Sequence, residues 1–402
     1  MLIASNSLLI PAGASPLMQA IAASVAGIVG LLAFIFIRRA VRRLHFRKRD
    51  ALVFQTRKQW PVILCGTAGV EAWRRNPMQR EIVLSNVRQE IESADPKKRI
   101  QLQEFLRSNG LLDICIERAR RVRGWKRRQA LVTLGTMLMP ETIAILAGAL
   151  DDRDLETRIA AVRGLGRTGL PQAAEPILER LIVSQLKVPN HPVINALVRC
   201  AREDPSMLLF YLRQARGEVR EILSRVAGEL ATPEMADVMI ALAGDSIAEV
   251  RASAARALGV APLPLALPTL GSLARDPVWF VRLRAVAGLD ELRHPRAIPI
   301  FLEAVRDSNR LVRIRAAASL SNFATHRTSI LEKIVETQDR YALHAMISAL
   351  ELAGGFEKVM EELSDPYRHD EAAEHLLDAL RKGAAGLWVA DPSSPVPAKV
   401  HA

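Results

Sequence analysis

Arginine recurs along this chain at Arg127, Arg158, Arg220, Arg251, Arg282 and Arg313. From Arg158 the steps are 62, 31, 31 and 31 residues, the first being two periods with one arginine missing. A fixed period near 31 residues constrains the fold strongly. It implies a supersecondary unit, copied in tandem, that buries its apolar face only by stacking on its neighbours.

The segments aligned on that arginine read DLETRIAAVRGLG (154–166), IAEVRASAARALG (247–259), VWFVRLRAVAGLD (278–290) and NRLVRIRAAASLS (309–321). Three residues after the arginine stands Ala161, Ala254, Ala285 or Ala316, and seven after it Leu165, Leu258, Leu289 or Leu320. Offsets of three and seven share one face of an α-helix. Six residues before it stands Asp152, Asp245, Asp276 or Asp307. An aspartate there, followed by Pro in Asp276-Pro277, suits a turn that caps the helix start. Gly166 and Gly259 stand where such a helix is expected to stop. A second apolar helix with an early Pro follows in AAEPILERLIV (173–183), LALPTLGSLAR (265–275) and AIPIFLEAVRD (297–307). Degenerate copies at 126–135, 193–201, 219–228 and 345–354 bring the count to about eight units between roughly 121 and 355, with no strand pattern among them.

The pattern Asp-x5-Arg-x2-Ala-x3-Leu-Gly, followed by Ala-x-Pro-x-Leu, resembles the HEAT repeat in its short PBS-lyase HEAT-like form. The resemblance implies an all-α fold, a right-handed α-solenoid with a groove that holds partners. It also implies a structural ladder between units, built from Asp152, Arg158, Asp245, Arg251, Asp276, Arg282, Asp307 and Arg313. One fold of this kind hosts many functions.

Residues 17–37 carry no charged side chain, and 21 residues at 1.5 Å rise match a hydrocarbon core of ~30 Å. Directly after them comes a basic cluster of Arg38, Arg39, Arg42, Arg43, Arg47, Lys48 and Arg49. Positive charge on that side predicts an uncleaved single-pass anchor of the bacterial inner-membrane type, N-terminus outside and everything from residue 38 in the cytoplasm. A cleavable signal peptide would carry its charge before a shorter apolar core. Residues 38–128 hold 24 Lys/Arg against 9 Asp/Glu, and residues 129–402 hold 31 against 34. The whole +12 excess therefore lies beside the apolar segment, where it can meet anionic lipid. A nucleic-acid solenoid would carry its positive charge along the repeats, so no nucleic-acid partner is expected.

The expected organisation is a short extracytoplasmic segment (1–16), a transmembrane helix (17–37) and a basic juxtamembrane segment (38–60). A helical linker and N-terminal capping unit (61–124) follow, then the repeat domain with its C-terminal cap (125–388) and a disordered Pro/Ser-rich tail (389–402). Within the linker, PVILCGTAGVEAW (61–73) is read as a core piece, 80–94 as an amphipathic helix, and 99–124 as two helices parted by Asn109-Gly110.

Cys65, Cys115 and Cys200 show no CxxC spacing, and Cys200 falls on a repeat-core position. There is no P-loop or GxGxxG, so no cofactor is expected. His369 and His375 are six residues apart and face different sides of a helix. Trp279 stands out as an exposed-looking aromatic within a repeat, suited either to partner contact or to filling an inter-repeat gap.

The reading favoured is a membrane-anchored scaffold whose second helices form a groove for another protein, such as a membrane-bound synthase or a signalling protein. The rivals are a HEAT-like enzyme, bilin-lyase-like or metal-hydroxylase-like, with His, Glu or Cys clustered in the groove, and a nucleic-acid binder. The His-Glu dipeptides of the hydroxylases do not occur in this chain.

Overall fold

Each clock arginine is the fourth residue of a helix in the computed structural model, which describes residues 16–64, 76–183, 185–364 and 371–388. The chain divides into two compact units, Met1–Asp113 and Ile114–Ala402. Among the described residues the regular structure is entirely helical.

In the first unit, α1 (Pro16–Lys58) runs without a break through both the apolar span and the basic cluster. Its 43 residues extend about 65 Å. The apolar window buries none of its surface. A short α2 (Trp60–Leu64) follows, then α3 (Pro77–Ser93) and α4 (Pro96–Ser108). Asn76 and Asp95 cap α3 and α4, accepting from the Met78 and Lys98 amides, and a proline opens each helix where its missing N–H costs nothing. Ile82, Val83, Val87 and Ile91 of α3 form the core of this unit with Leu102 and Leu106 of α4. Trp60 donates its indole N–H to Glu90, which also pairs with Lys98 at 3.0 Å. The apolar run 61–73 is described only to Leu64, where Ile63 is buried and Val62 exposed; Cys65 and the rest lie outside the described residues. The expected break at Asn109-Gly110 separates α4 from α5 (Leu111–Arg121), with Gly110 at φ 64°.

The second unit is a stack of helical hairpins. Its first helices are α6 (Gly124–Gly135), α8 (Leu155–Thr168), α10 (Asn190–Cys200), α12 (Gly217–Glu229), α14 (Ala248–Ala257), α16 (Trp279–Leu292), α18 (Arg310–Ser321) and α20 (Arg340–Leu352). The second helices are shorter: α7 (Ile143–Gly148), α9 (Glu175–Ile182), α11 (Leu208–Gln214), α13 (Ala236–Leu242), α15 (Leu263–Leu273), α17 (Ile298–Ala304), α19 (Arg327–Glu336) and α21 (Phe356–Leu363). A terminal α22 (Glu371–Trp388) follows. Each first helix packs chiefly on the next first helix. The in-phase residues Ala161, Ala254, Ala285, Ala316, Leu165, Leu258, Leu289 and Leu320 are all buried at that seam.

Three local expectations are corrected. Gly166 lies inside α8, and the helix ends instead at Gly169 with φ 64°. Gly166 serves close approach: a Cβ there would fall 2.6 Å from Ala196 Cα. Gly259 does stand just past the end of its α-helix, in a 3-10 turn, and also serves close approach: a Cβ would sit 3.2 Å from Gly288 Cα. The repeat aspartates do not cap. They stand two residues before the cap position, where Asp245, Asp276 and Asp307 accept from the amides of Ile247, Val278 and Asn309 at 2.7–2.9 Å. Finally, Pro268 is not in a first turn; α15 starts earlier, at Leu263, and holds Pro268 in its interior.

The tail 389–402, residues 1–15 and His369 lie outside the described residues, and the readings made for them end there. His375 is exposed on α22.

Candidate functional site

The ladder residues meet through three groups of each guanidinium. Nη1 of Arg282 donates to the carbonyls of Asp276 and Pro277 at 2.8 and 3.2 Å, joining the helix to the turn before it. Its Nε and Nη2 form a fork on the carboxylate of Asp307, in the next unit, at 2.6 and 2.8 Å. Arg251 repeats this with the carbonyls of Asp245 and Ser246 and the carboxylate of Asp276, at 2.7 and 3.0 Å. Arg220 holds Asp245, and Arg127 holds Asp152 at 3.1 Å. So the in-phase pairs Asp276/Arg282 and Asp307/Arg313 meet only through the main chain, and the carboxylate partner is 25 residues further on.

Electrostatics at these rungs are one-sided. Burial alone would raise the carboxyls of Asp276 and Asp307, but the facing arginine and the turn amides outweigh it and hold both below the usual carboxylate range. The matching hydrogen bonds that Arg251 and Arg282 donate to Asp276 and Asp307 raise these two arginines. These groups are locked in a charged state, a structural arrangement rather than one poised for proton transfer.

Arg220 departs in part, its Nε donating to the Ala215 carbonyl at 2.8 Å while Nη1 meets Asp245, and two rungs have no carboxylate partner at all among the described residues. Arg158 has no aspartate to meet, and its fork closes on the carbonyl of Lys187 at 3.2 and 2.9 Å. Arg313 keeps the Nη1 contacts to the carbonyls of Asp307 and Ser308, at 2.8 and 3.1 Å, while its guanidinium lies 5.4 Å from the Tyr341 ring centroid.

The second helices line shallow clefts. One, of about 480 Å³, is bordered by Arg275, Pro277, Arg282, Ile300, Glu303 and Asp307. Its neighbour shares Arg275 and Ile300 and adds Leu267, Pro268 and Arg296. Arg275 spans adjacent hairpins to Glu303 at 2.7 and 3.0 Å. Trp279 opens α16 at 41% exposure, edge-to-face with Phe280. Counted back three from the arginine, its place is held by Leu155, Ala248 and Arg310 in other units. The seven bases from Arg38 to Arg49 are all exposed on α1.

Among the described residues no three His, Cys, Asp or Glu side chains gather as metal ligands would. Cys200 is fully buried, its thiol donating to the Leu165 carbonyl, and burial pushes it up to about 12. Such a thiol is a core group rather than a nucleophile.

Tandem α-hairpins, stacked through small residues and tied by arginine–aspartate rungs, define an α-helical repeat protein. The chain belongs to the HEAT-repeat family, whose HEAT repeats match residues 112–197, 205–289 and 267–351. No curated protein matches the chain. Solved structures similar to it include an engineered protein at 15% identity, covering 79% of this chain and 98% of its own, with a TM-score of 0.38. YibA from Escherichia coli is similar at 19% identity, covering 68% and 96%, with a TM-score of 0.33. Human deoxyhypusine hydroxylase in complex with glycerol is similar at 19% identity, covering 70% and 98%, with a TM-score of 0.27. These scores are low, so the family assignment rests on the repeat match.

Proposed function

We propose that this protein is a membrane-anchored scaffold: α1 spans a bacterial-type inner membrane, the basic end of α1 faces the cytoplasm, and the repeats hold a partner protein there. The observation that carries this reading is one uninterrupted helix, apolar for 21 residues and then strongly basic, joined to a HEAT-repeat array. A helix with no buried surface and no polar side over that length needs an apolar surround. Positive charge immediately after it sets the orientation. Anchoring then confines the repeats to a thin layer, raising the effective concentration of any partner in the same membrane without new contacts.

The ladder residues act in this reading as structure, Trp279 and the clefts along α15 and α17 as the contact surface, and the seven bases as the lipid-facing collar. HEAT repeats commonly mediate protein interactions, and the partner envisaged is a membrane-bound synthase or signalling protein. The test is photo-crosslinking in intact membranes from positions 279, 296 and 300, with position 163, exposed on a first helix, as a control. A defined adduct of one partner from the first three and none from the control supports the scaffold; no adduct, or the same adducts from every position, removes it.

A further inference from the structure

We propose that the open fork of Arg313 is a carboxylate-binding site that receives an acidic residue of a partner protein. The argument starts from repetition. At Arg251 and Arg282, Nη1 is fixed by two carbonyls, and Nε with Nη2 takes a carboxylate in bidentate fashion. Arg313 is fixed in the same way, at 2.8 and 3.1 Å, so its fork is already oriented. The residue that should supply the carboxylate is replaced. Each ladder aspartate stands two residues before its helix cap and accepts from the cap amide; α20 is capped by Asp339, and the equivalent position, 24 rather than 25 residues after Arg313, is Thr337, whose hydroxyl faces the Asp339 amide at 3.4 Å. The Thr337 hydroxyl donates to the Ile334 carbonyl at 2.6 Å. The Asp339 carboxylate is used by the amides of Tyr341 and Ala342. Among the described residues nothing accepts from Nε or Nη2 of Arg313.

The contrast with Arg158 is informative. There too the aspartate is missing, yet the chain supplies the Lys187 carbonyl in its place. At Arg313 the chain supplies only the face of Tyr341, which also carries Arg340 at 4.8 Å. Arg340 donates to the Tyr341 hydroxyl at 2.9 Å, so a second cation shares the ring that Arg313 faces. Tyr341 is exposed and offers apolar contact next to the charge. A preorganised guanidinium beside an aromatic ring that carries a second cation fits a carboxylate on a peptide, because planar bidentate recognition is what arginine does best.

This deepens the scaffold reading and rests on it for the occupant being a protein. The test uses the full chain in detergent micelles and a fluorescein-labelled deca-glutamate peptide, with deca-glutamine as control, read by fluorescence anisotropy. Thr337→Asp places the missing carboxylate in the fork from inside, and Arg313→Lys keeps the charge but removes the fork. Each is expected to weaken deca-glutamate binding about tenfold or more, and Thr337→Asp is expected to hold or raise the melting temperature. The proposal is overturned if deca-glutamate does not bind, or if either variant binds as the wild type does; the latter would place the binding on the bases of α1. Either failure leaves the crosslinking test of the scaffold standing on its own.

Discussion

Arg282 joins three things: its own helix, the turn before that helix, and the next hairpin. Its side chain and that of Asp307 are only 14% and 8% exposed. Truncating one member of so covered a pair leaves the other without compensation. Arg282→Ala is therefore expected to cost about 2–3 kcal/mol, read as a lower denaturation midpoint of the detergent-solubilised chain, with membrane insertion intact. An unchanged midpoint would mean that apolar stacking alone carries the seam. The rungs also set a pH response. Asp245, Asp276 and Asp307 are each held below the ordinary carboxylate range in the fold. Their contribution is present above the unfolded value of about 4 and is lost as pH falls through the depressed folded values. Melting temperature should thus be nearly flat from neutral pH to about 5 and drop below about 4. The double variant Asp276→Asn/Asp307→Asn should start lower and show a shallower acid limb; an acid limb as steep as the wild type's would show that other carboxylates control it.

At the scale of helices, the spacing between first helices is set by what they lack. A Cβ at Gly135 would lie 2.2 Å from the Gly164 carbonyl oxygen, a backbone atom that cannot swing away. Gly135→Ala should separate α6 from α8 and cost about 1–3 kcal/mol. Gly148→Ala, with nothing within 4 Å of the new methyl group, should be neutral or slightly stabilising. Equal midpoints for the two variants, by chemical denaturation, would remove the close-packing account. The sequence made the helices and their buried Ala and Leu faces readable, because offsets of three and seven act within one helix. It left the pairing partner ambiguous for a definite reason: six residues back and 25 forward differ by one 31-residue period, so phase alone cannot separate them. A second clock was missed. Pro140, Pro171, Pro233, Pro264 and Pro295 fall at 31-residue steps, with one step skipped. All five open the second half of a hairpin, four as the first residue of a 3-10 turn. Pro176, Pro268 and Pro299 form a second, less regular set of prolines beside it, of which Pro268 is interior to its helix. The open fork of Arg313 was hidden for a related reason, since the substitution of Thr337 for aspartate appears only once the helix cap fixes the register.

At the scale of the whole molecule, the decisive quantity is where charge sits relative to the apolar span. All seven bases lie within 12 residues after it, and the first 37 residues carry no charged side chain. Because α1 is one helix through both parts, each base has a defined distance from the end of the span. In the proposed anchored arrangement, at 1.5 Å per residue, Arg38, Arg39, Arg42 and Arg43 would occupy the first ~8 Å, within about one Debye length of the surface, and Arg47, Lys48 and Arg49 would lie ~14–17 Å away. Charge within a Debye length interacts with anionic headgroups at roughly 1 kcal/mol per residue, and charge beyond it contributes little. Replacing the first four by Gln should therefore weaken retention of anionic lipid far more than replacing the last three, measured by mass spectrometry of protein released from mixed micelles. Orientation obeys a looser rule that counts bases over the 15–20 residues flanking a span. A C-terminal reporter active only in the cytoplasm should stay active in either partial variant and lose activity in a share of molecules only when all seven bases are replaced and Arg is added before residue 17. If the four-residue variant alone inverted the reporter, the near bases would control both properties. If neither partial change altered lipid retention, the basic collar would serve insertion only, and any affinity of the chain for a membrane would rest on the apolar span alone.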